Sequence, residues 1–356
     1  MSVVQVQDRT GTHAATIPTP PLPQPPRVVA FGEAMVRLTP PGNERLERAV
    51  RLDVAVGGAE LNAAVGLRCL GIAASWISCL PTTPLGRLID RTARAAGVDT
   101  GAVRWVEEHE GRTGLFFLEE GVDPRPSAVH YDRAGSAFAR ISPGAFDWPV
   151  LLRGAAAFHL SGVTPALSAG CRAEAFAAVR AANAAGIPVS FDLNYRSKLW
   201  SEAEARACFI ELVPLVDLLF VSRGGLRTFF GIDGSHEEAL RAARERLGVA
   251  VVAVGRKRTK GSRGIKLASM ALGPTNELIR TGWRDVEIVD RVGGGDAFAA
   301  GFLAGYLEAP ERLDHALSLA SAASALKHTM PGDFLLATRA EIDAAIEASE
   351  GGVLER

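Results

Sequence analysis

Apolar residues along this chain fall into short runs separated by polar and alanine-rich stretches, and that rhythm predicts a fold class before any motif is considered. Arg27-Val-Val-Ala-Phe-Gly-Glu33 reads as a first buried strand closed by Gly32. Ala74–Leu80, Ala155–Leu160, Ile187–Asp192, Leu218–Ser222 and Ala250–Val254 repeat the pattern. Between them lie segments of helical character: a helix from Ala59 to about Cys69, then Ala169–Ala184, Glu202–Leu212 and Glu237–Leu247. Strand and helix in alternation predict an α/β fold, a mainly parallel sheet with helices on both faces. The chain then turns largely helical, over Gly294–Leu307, Leu313–Lys327 and Arg339–Ala348.

Two stretches break the rhythm. Met35–Val54 and Thr113–Tyr131 read as extended, with Gly and Pro turns and no helix between their strands. They predict a small projecting sheet of antiparallel strands, with strands within about 35–54 and 113–132. It could act as a lid, as a homodimer contact or as a plain structural hairpin. Residues 1–26 hold six of the twenty prolines and little to bury, which reads as a flexible tail. A single domain over 27–350 is expected.

Composition narrows the function. With 356 residues, 47% of them hydrophobic and 22% charged, the chain can bury a sizeable core, which excludes wholesale disorder. Its formal net charge of −1 disfavours nucleic acid and polybasic membrane contacts. Cys69, Cys79, Cys171 and Cys208 are scattered, arguing against a zinc cluster or a disulfide framework and for a reducing compartment, the cytoplasm. No uncharged apolar run is long enough to cross a bilayer, and the start lacks the basic-then-apolar order of a secretory signal.

Candidate chemistry concentrates in Val289-Asp-Arg-Val-Gly-Gly-Gly-Asp-Ala-Phe-Ala-Ala-Gly301. Gly293, Gly294 and Gly295 end an extended segment and open an alanine-rich helix, whose first N–H groups make an anion site. Asp296 follows in the first turn. A carboxylate beside a bound phosphate is electrostatically poor unless it takes a proton from an attacking hydroxyl. The same residues also fit an ordinary turn with a capping Asp.

This D-x-V-G-x-G-D-A-F-x-x-G segment closely resembles the signature of the ribokinase-like (PfkB) carbohydrate kinases, with Gly294 where that family usually has Ala. A second signature of the family, Gly57-Gly-Ala-Glu-Leu-Asn62, stands near the N-terminus. The resemblance runs from about Arg27 to the last helix. It implies a ribokinase-like three-layer fold with a β-lid, ATP and Mg²⁺ as cofactors, and Asp296 as the base, with the Gly293–Asp296 backbone supporting the transferred phosphoryl. Gly57, Gly58 and Asn62 would hold sugar hydroxyls.

Three segments resemble the family members that phosphorylate 2-keto-3-deoxygluconate. They are Ser190-Phe-Asp-Leu-Asn-Tyr-Arg-Ser-Lys-Leu-Trp200, with Asp192, Asn194 and Arg196; Tyr131-Asp-Arg133 followed by Gly135-Ser-Ala137; and His159–Leu167. His159 itself reads as a packed or capping residue. Tyr131, Arg133 and Arg196 are expected at the acid end, since a guanidinium suits a carboxylate and a neutral sugar offers none. Asp192 and Arg196 also fit a loop ion pair worth little, and arginines in these places could face ATP phosphates instead. Phe116 stands where those enzymes often carry Tyr, and Asp333 where they often have an Asp at the pocket edge.

There are departures. Ser222-Arg-Gly-Gly225 matches the family's Asn/Ser-x-x-Glu in its Ser but lacks the Glu. Gly255-Arg-Lys-Arg-Thr-Lys-Gly-Ser-Arg-Gly-Ile-Lys266 replaces a shorter nucleotide segment and is strongly basic. Gly255, Gly261 and Gly264 are the nucleotide-side candidates, and the basic stretch reads equally as a phosphate neighbour or a solvated loop. A kinase for another sugar (fructose or 5-keto-2-deoxygluconate) and a catalytically weak sugar sensor are the alternatives. No G-x-G-x-x-G follows the first strand and no Gly-Lys pair occurs, which disfavours a dehydrogenase or a Walker-type nucleotide site.

Overall fold

A computed structural model describes residues 26–261 and 263–351, with side chains through residue 348. The proline-rich tail inferred for 1–26 lies outside the described residues apart from Pro26. The strands are β1 (Arg27–Phe31), β2 (Met35–Thr39), β3 (Asp53–Gly57), β4 (Ala73–Ile77), β5 (Cys79–Pro81), β6 (Arg104–Val106), β7 (Leu115–Glu119), β8 (Ala128–Asp132), β9 (Ala157–Ser161), β10 (Val189–Asp192), β11 (Leu218–Phe220), β12 (Val251–Lys260), β13 (Gly264–Leu272), β14 (Leu278–Arg280) and β15 (Arg284–Glu287). The helices are α1 (Ala59–Cys69), α2 (Pro84–Ala95), α3 (Trp148–Leu151), α4 (Ala169–Ala184), α5 (Glu202–Leu212), α6 (Arg223–Phe230), α7 (His236–Leu247), α8 (Gly294–Glu308), α9 (Leu313–His328) and α10 (Arg339–Gly351).

The main sheet runs β14-β13-β12-β11-β10-β9-β1-β4, with β15 also paired to β13. From β12 to β4 all neighbours are parallel, while β13 pairs antiparallel with β12, β14 and β15. Parallel strands need crossovers, and the helices that supply them bury both faces of the sheet. Alternate residues serve the two sides. Val28, Ala30, Leu218, Phe220, Val251 and Ala253 pack into one core with α1, α8 and α9. Val29, Phe31, Leu219, Val221, Val252 and Val254 pack into the other with α4, α5 and α7. The three-layer expectation is met.

The projecting sheet has the order β3-β2-β7-β8. It forms from the two stretches that the pattern set apart, with one difference. Its hairpins are antiparallel, but β2 and β7 join them in parallel register, Val36 opposite Leu115 and Leu38 opposite Phe117. The long connection from β3 to β7, through α1 and β4, makes that possible.

Three helices, α2, the four-residue α3 and α6, are not evident in the sequence pattern. α2 starts at Thr83, whose side chain accepts from the Gly86 N–H, followed by Pro84 at the first position. α6 starts at Ser222, which accepts from the Gly225 N–H at 3.0 Å. The basic stretch 255–266 is a long antiparallel hairpin, Arg256 opposite Ala268 and Lys260 opposite Gly264. No helix is long and apolar enough to cross a membrane among the described residues.

Candidate active site

A cleft of about 730 Å³ opens at the carboxyl ends of the parallel strands, where open α/β sheets place their ligands. The lid covers one end and the β12–β13 hairpin walls the other. Its lining includes Gly57, Gly58, Asn62, Phe116, Tyr131, Arg133, Asp192, Asn194, Arg196, Ser222, Gly255, Gly293, Gly294, Gly295, Asp296 and Asp333. Gly261 and Gly264 are not brought there. They sit at the far tip of the hairpin, because ten- and nine-residue strands carry the turn well beyond the sheet. Near that tip Arg263 donates to Asn43 of the lid at 3.4 Å.

The glycine turn is built for an anion. Gly293 has φ +82° at the N-cap of α8, a backbone state that other residues rarely adopt, and a Cβ there would overlap the Asp333 carbonyl. A Cβ at Gly294 would run into the His328 imidazole, so the usual Ala does not fit the packing of this chain. The first N–H groups of α8 lack helical partners and carry the positive end of its dipole into the cleft.

Asp296 lies half-buried in that first turn. The Asn62 side chain donates to its carboxylate at 2.6 Å and in turn accepts from the Gly58 N–H at 3.2 Å. The two sequence signatures thus meet at a single hydrogen bond. Burial pushes the Asp296 carboxyl up from its ordinary value, while the Asn62 bond and the charges of Arg196 and Lys327 oppose the shift. Asp192, at the end of β10, is pushed up to about 7 by burial and then by Asp296. A carboxyl without a cation in hydrogen-bond contact behaves this way.

The arginines expected at one end of a substrate differ in kind. Arg133, just past β8, is ion-paired with Glu33, which also accepts from Ser136. Its guanidinium stands 5.6 Å from the Tyr131 ring centroid, and Tyr131 is 6.0 Å from Phe116. Arg196 is exposed at the cleft and has no ion-pair partner among the described residues. Asn194, at φ +35°, turns the backbone between Asp192 and Arg196. His159 is buried, 3.0 Å from the Ser190 hydroxyl, and burial lowers it to about 4, so it is a neutral core residue.

Several residues escaped the sequence reading. Arg37, on β2, pairs with Asp290 at 2.6 Å and Asp333 at 2.9 Å, tying the lid to both flanks of the glycine turn. Burial lifts Asp333 to about 6 even with that partner. Glu60, inside the Gly57–Asn62 signature, is fully buried and accepts from the Ser161 and Thr164 hydroxyls at 2.7 and 2.8 Å. Burial lifts it to about 7, and its second oxygen has no partner. At the hairpin end Arg256 and Arg258 lie 4.8 and 4.3 Å from the Trp283 ring centroid, and Lys257 lines the cleft. A side cavity of about 360 Å³ beside Gly225 is lined by Asp192, Asn194, Glu202 and Ser222.

The model of the pfkB family carbohydrate kinases matches residues 25–335. The chain belongs to this family. It is 36% identical over 333 residues to a 2-dehydro-3-deoxygalactonokinase of Haloferax volcanii, covering 92% of this chain and 98% of that one. A 2-dehydro-3-deoxygluconokinase of Bacillus subtilis is 29% identical over 308 residues, covering 86% and 90%. The crystal structure of the Thermotoga maritima 2-dehydro-3-deoxygluconokinase superposes with a TM-score of 0.87 at 33% identity, covering 91% of this chain and 99% of that one. As a member of this family the protein is a sugar kinase, and the carboxylate, glycine turn and cleft above are the features in which its chemistry must be sought.

Proposed function

We propose that this sugar kinase transfers the γ-phosphoryl group of ATP to the primary hydroxyl of a 2-keto-3-deoxy sugar acid, 2-keto-3-deoxygluconate or its galactonate epimer. The observation that carries the reading is Arg196, a cation with no ion-pair contact among the described residues, in the same cleft as Asp192 and Asp296. A guanidinium left unpaired there favours a ligand that brings its own carboxylate. Kinship to kinases named for both epimers supports the class.

In this mechanism Asp296 takes the hydroxyl proton as the oxygen bonds to the γ-phosphorus. The bond from that phosphorus to the bridging oxygen breaks, and ADP leaves with the electron pair. Asn62 fixes the rotamer of Asp296, and the N–H groups of the glycine turn carry the charge developing on the phosphoryl oxygens. Gly57, Gly58, Asp333 and the Phe116–Tyr131 pair shape the sugar end. Arg133, already answered by Glu33, orients rather than neutralises. Ser222, Gly255, Arg256 and Lys257 line the nucleotide end.

Magnesium fits the residues present. Asp192 is a carboxylate facing the turn, destabilised as an anion by burial and by Asp296, and an added cation relieves both. When bound with the nucleotide, Mg²⁺ supplies charge neutralisation at the phosphates. Four free cysteines, three of them buried, suit a reducing cytoplasm.

The test is ADP release from Mg·ATP with 2-keto-3-deoxygluconate, 2-keto-3-deoxygalactonate, gluconate, fructose and ribose. Turnover confined to the keto-deoxy acids is expected. Equal turnover of fructose would remove the carboxylate assignment.

A further inference from the structure

Lys327 is wholly buried, an extreme place for a residue type that is almost never buried unless paired. It occupies the last turn of α9, where a lysine normally answers the helix dipole from solvent. Here the side chain runs inward, behind the glycine turn. Its Cε would stand 3.2 Å from a Cβ at Gly293, and its Nζ donates to the Met330 carbonyl at 3.0 Å. Asp290 and Asp333, the acids flanking the turn, are bonded to Arg37. Among the buried groups, Arg37 and Lys327 together therefore balance two carboxylates, while the part-exposed Glu120 stands 3.7 Å from Arg37. Without Lys327 the cluster behind the anion site carries net negative charge, the wrong sign for a site receiving a phosphoryl group.

We infer that Lys327 is a positioning residue for phosphoryl transfer, an internal ammonium fixed behind the glycine turn that supports charge on the transferred group and favours the ionised form of Asp296. The inference rests on the phosphotransfer reading above. A charge held where water is excluded acts more strongly than one at the surface, and needs no reorganisation as the reaction proceeds. Burial, and then the neighbouring Arg37, push the Lys327 ammonium down from its ordinary value, while Asp290, Asp333 and Asp296 oppose that and favour the charged form.

Lys327→Gln keeps a donor for the Met330 carbonyl and removes the charge; Lys327→Ala leaves a cavity that ethylammonium can fill. For K327Q, kcat is expected to fall about 10²-fold while KM for sugar and for Mg·ATP stays within about threefold. The acid limb of its kcat–pH profile should move to higher pH, because losing a nearby positive charge raises Asp296. Ethylammonium should raise kcat of K327A about tenfold and leave the wild type unchanged. A K327Q kcat within threefold of wild type, or K327A indifferent to the amine, would overturn the inference. The K327A measurement decides the matter if K327Q does not fold.

The sugar reading can fail separately. If the wild type turns over no sugar, ADP with aluminium fluoride still fills the phosphoryl position. K327Q should bind that complex at least about tenfold more weakly while binding ADP alone as the wild type does. Equal weakening of both would overturn the role of Lys327.

Discussion

At the lid end of the cleft almost every charge is answered before a ligand arrives. Arg133 is held by Glu33, Arg37 by Asp290 and Asp333, and Asp296 by Asn62. At the hairpin end Arg256 and Lys257 line the cleft with no acid partner among the described residues, and Arg256 leaves its Nε unbonded. The first arrangement fixes geometry, as a site must if it is to discriminate one sugar from another. The second leaves free positive potential, which suits a polyanion that enters and leaves with each turnover. Arg196 differs: it makes no ion-pair contact among the described residues, although its charge acts on Asp192 and Asp296. A cation left free of contact points to the part of the ligand that must be charged.

The largest expected effect is at the base. Asp296→Asn should lower kcat by at least about 10³-fold with little change in nucleotide binding, measured by steady-state kinetics and ADP titration. A kcat near wild type would remove the proton-transfer assignment. Because burial raises Asp296, the acid-side loss of wild-type kcat should fall above the ordinary Asp range.

Next is the tie between lid and body. Arg37→Met removes the cation bonded to the buried Asp290 and Asp333, leaving Asp290 its backbone donors from Val292 and Gly332, and should destabilise the fold by about 3–5 kcal/mol, read from urea unfolding. A change below about 1 kcal/mol would mean that the lid is held elsewhere.

Glu60 sharpens the same contrast between answered and unanswered groups. Its carboxyl is raised to about 7 in the folded chain, above its unfolded value, so the folded state keeps a proton that the unfolded chain releases. That contribution to stability is present at pH below about 4.5 and lost as pH rises through 7. Glu60→Gln should therefore gain about 1–3 kcal/mol relative to wild type between pH 5 and pH 8. A pH-independent difference would show that Glu60 is ionised in the fold.

The smallest effect belongs to the hairpin. Lys257→Ala should raise KM for Mg·ATP about three- to tenfold at low salt, and less at 0.5 M salt, since exposed charge is screened. A loss that salt leaves untouched would indicate a specific contact instead.

Much of this was legible in the sequence, and what was not has physical reasons. The parallel strands show as apolar runs because both faces are buried, and the helices between them were bounded to within a few residues. The glycine turn with Asp296 and the Gly57–Asn62 signature could be read because each is a local pattern; that they touch through Asn62 could not. Arg37 sits in Met-Val-Arg-Leu-Thr, where an inward charge looks like the polar face of an edge strand, and its partner Asp333 is 296 residues away. Lys327 looks like an ordinary C-terminal helix cation. The hairpin was hidden because alternating Lys and Arg resembles a loop until the register with β13 is known.

Selection of a carboxylate by Arg196 is read from kcat/KM of wild type and Arg196→Ala on 2-keto-3-deoxygluconate and on fructose. The variant should lose about 10–10²-fold on the acid, chiefly through KM, and change fructose turnover by less than about threefold. Equal losses on both sugars, or none on the acid, would contradict the claim that Arg196 selects a carboxylate.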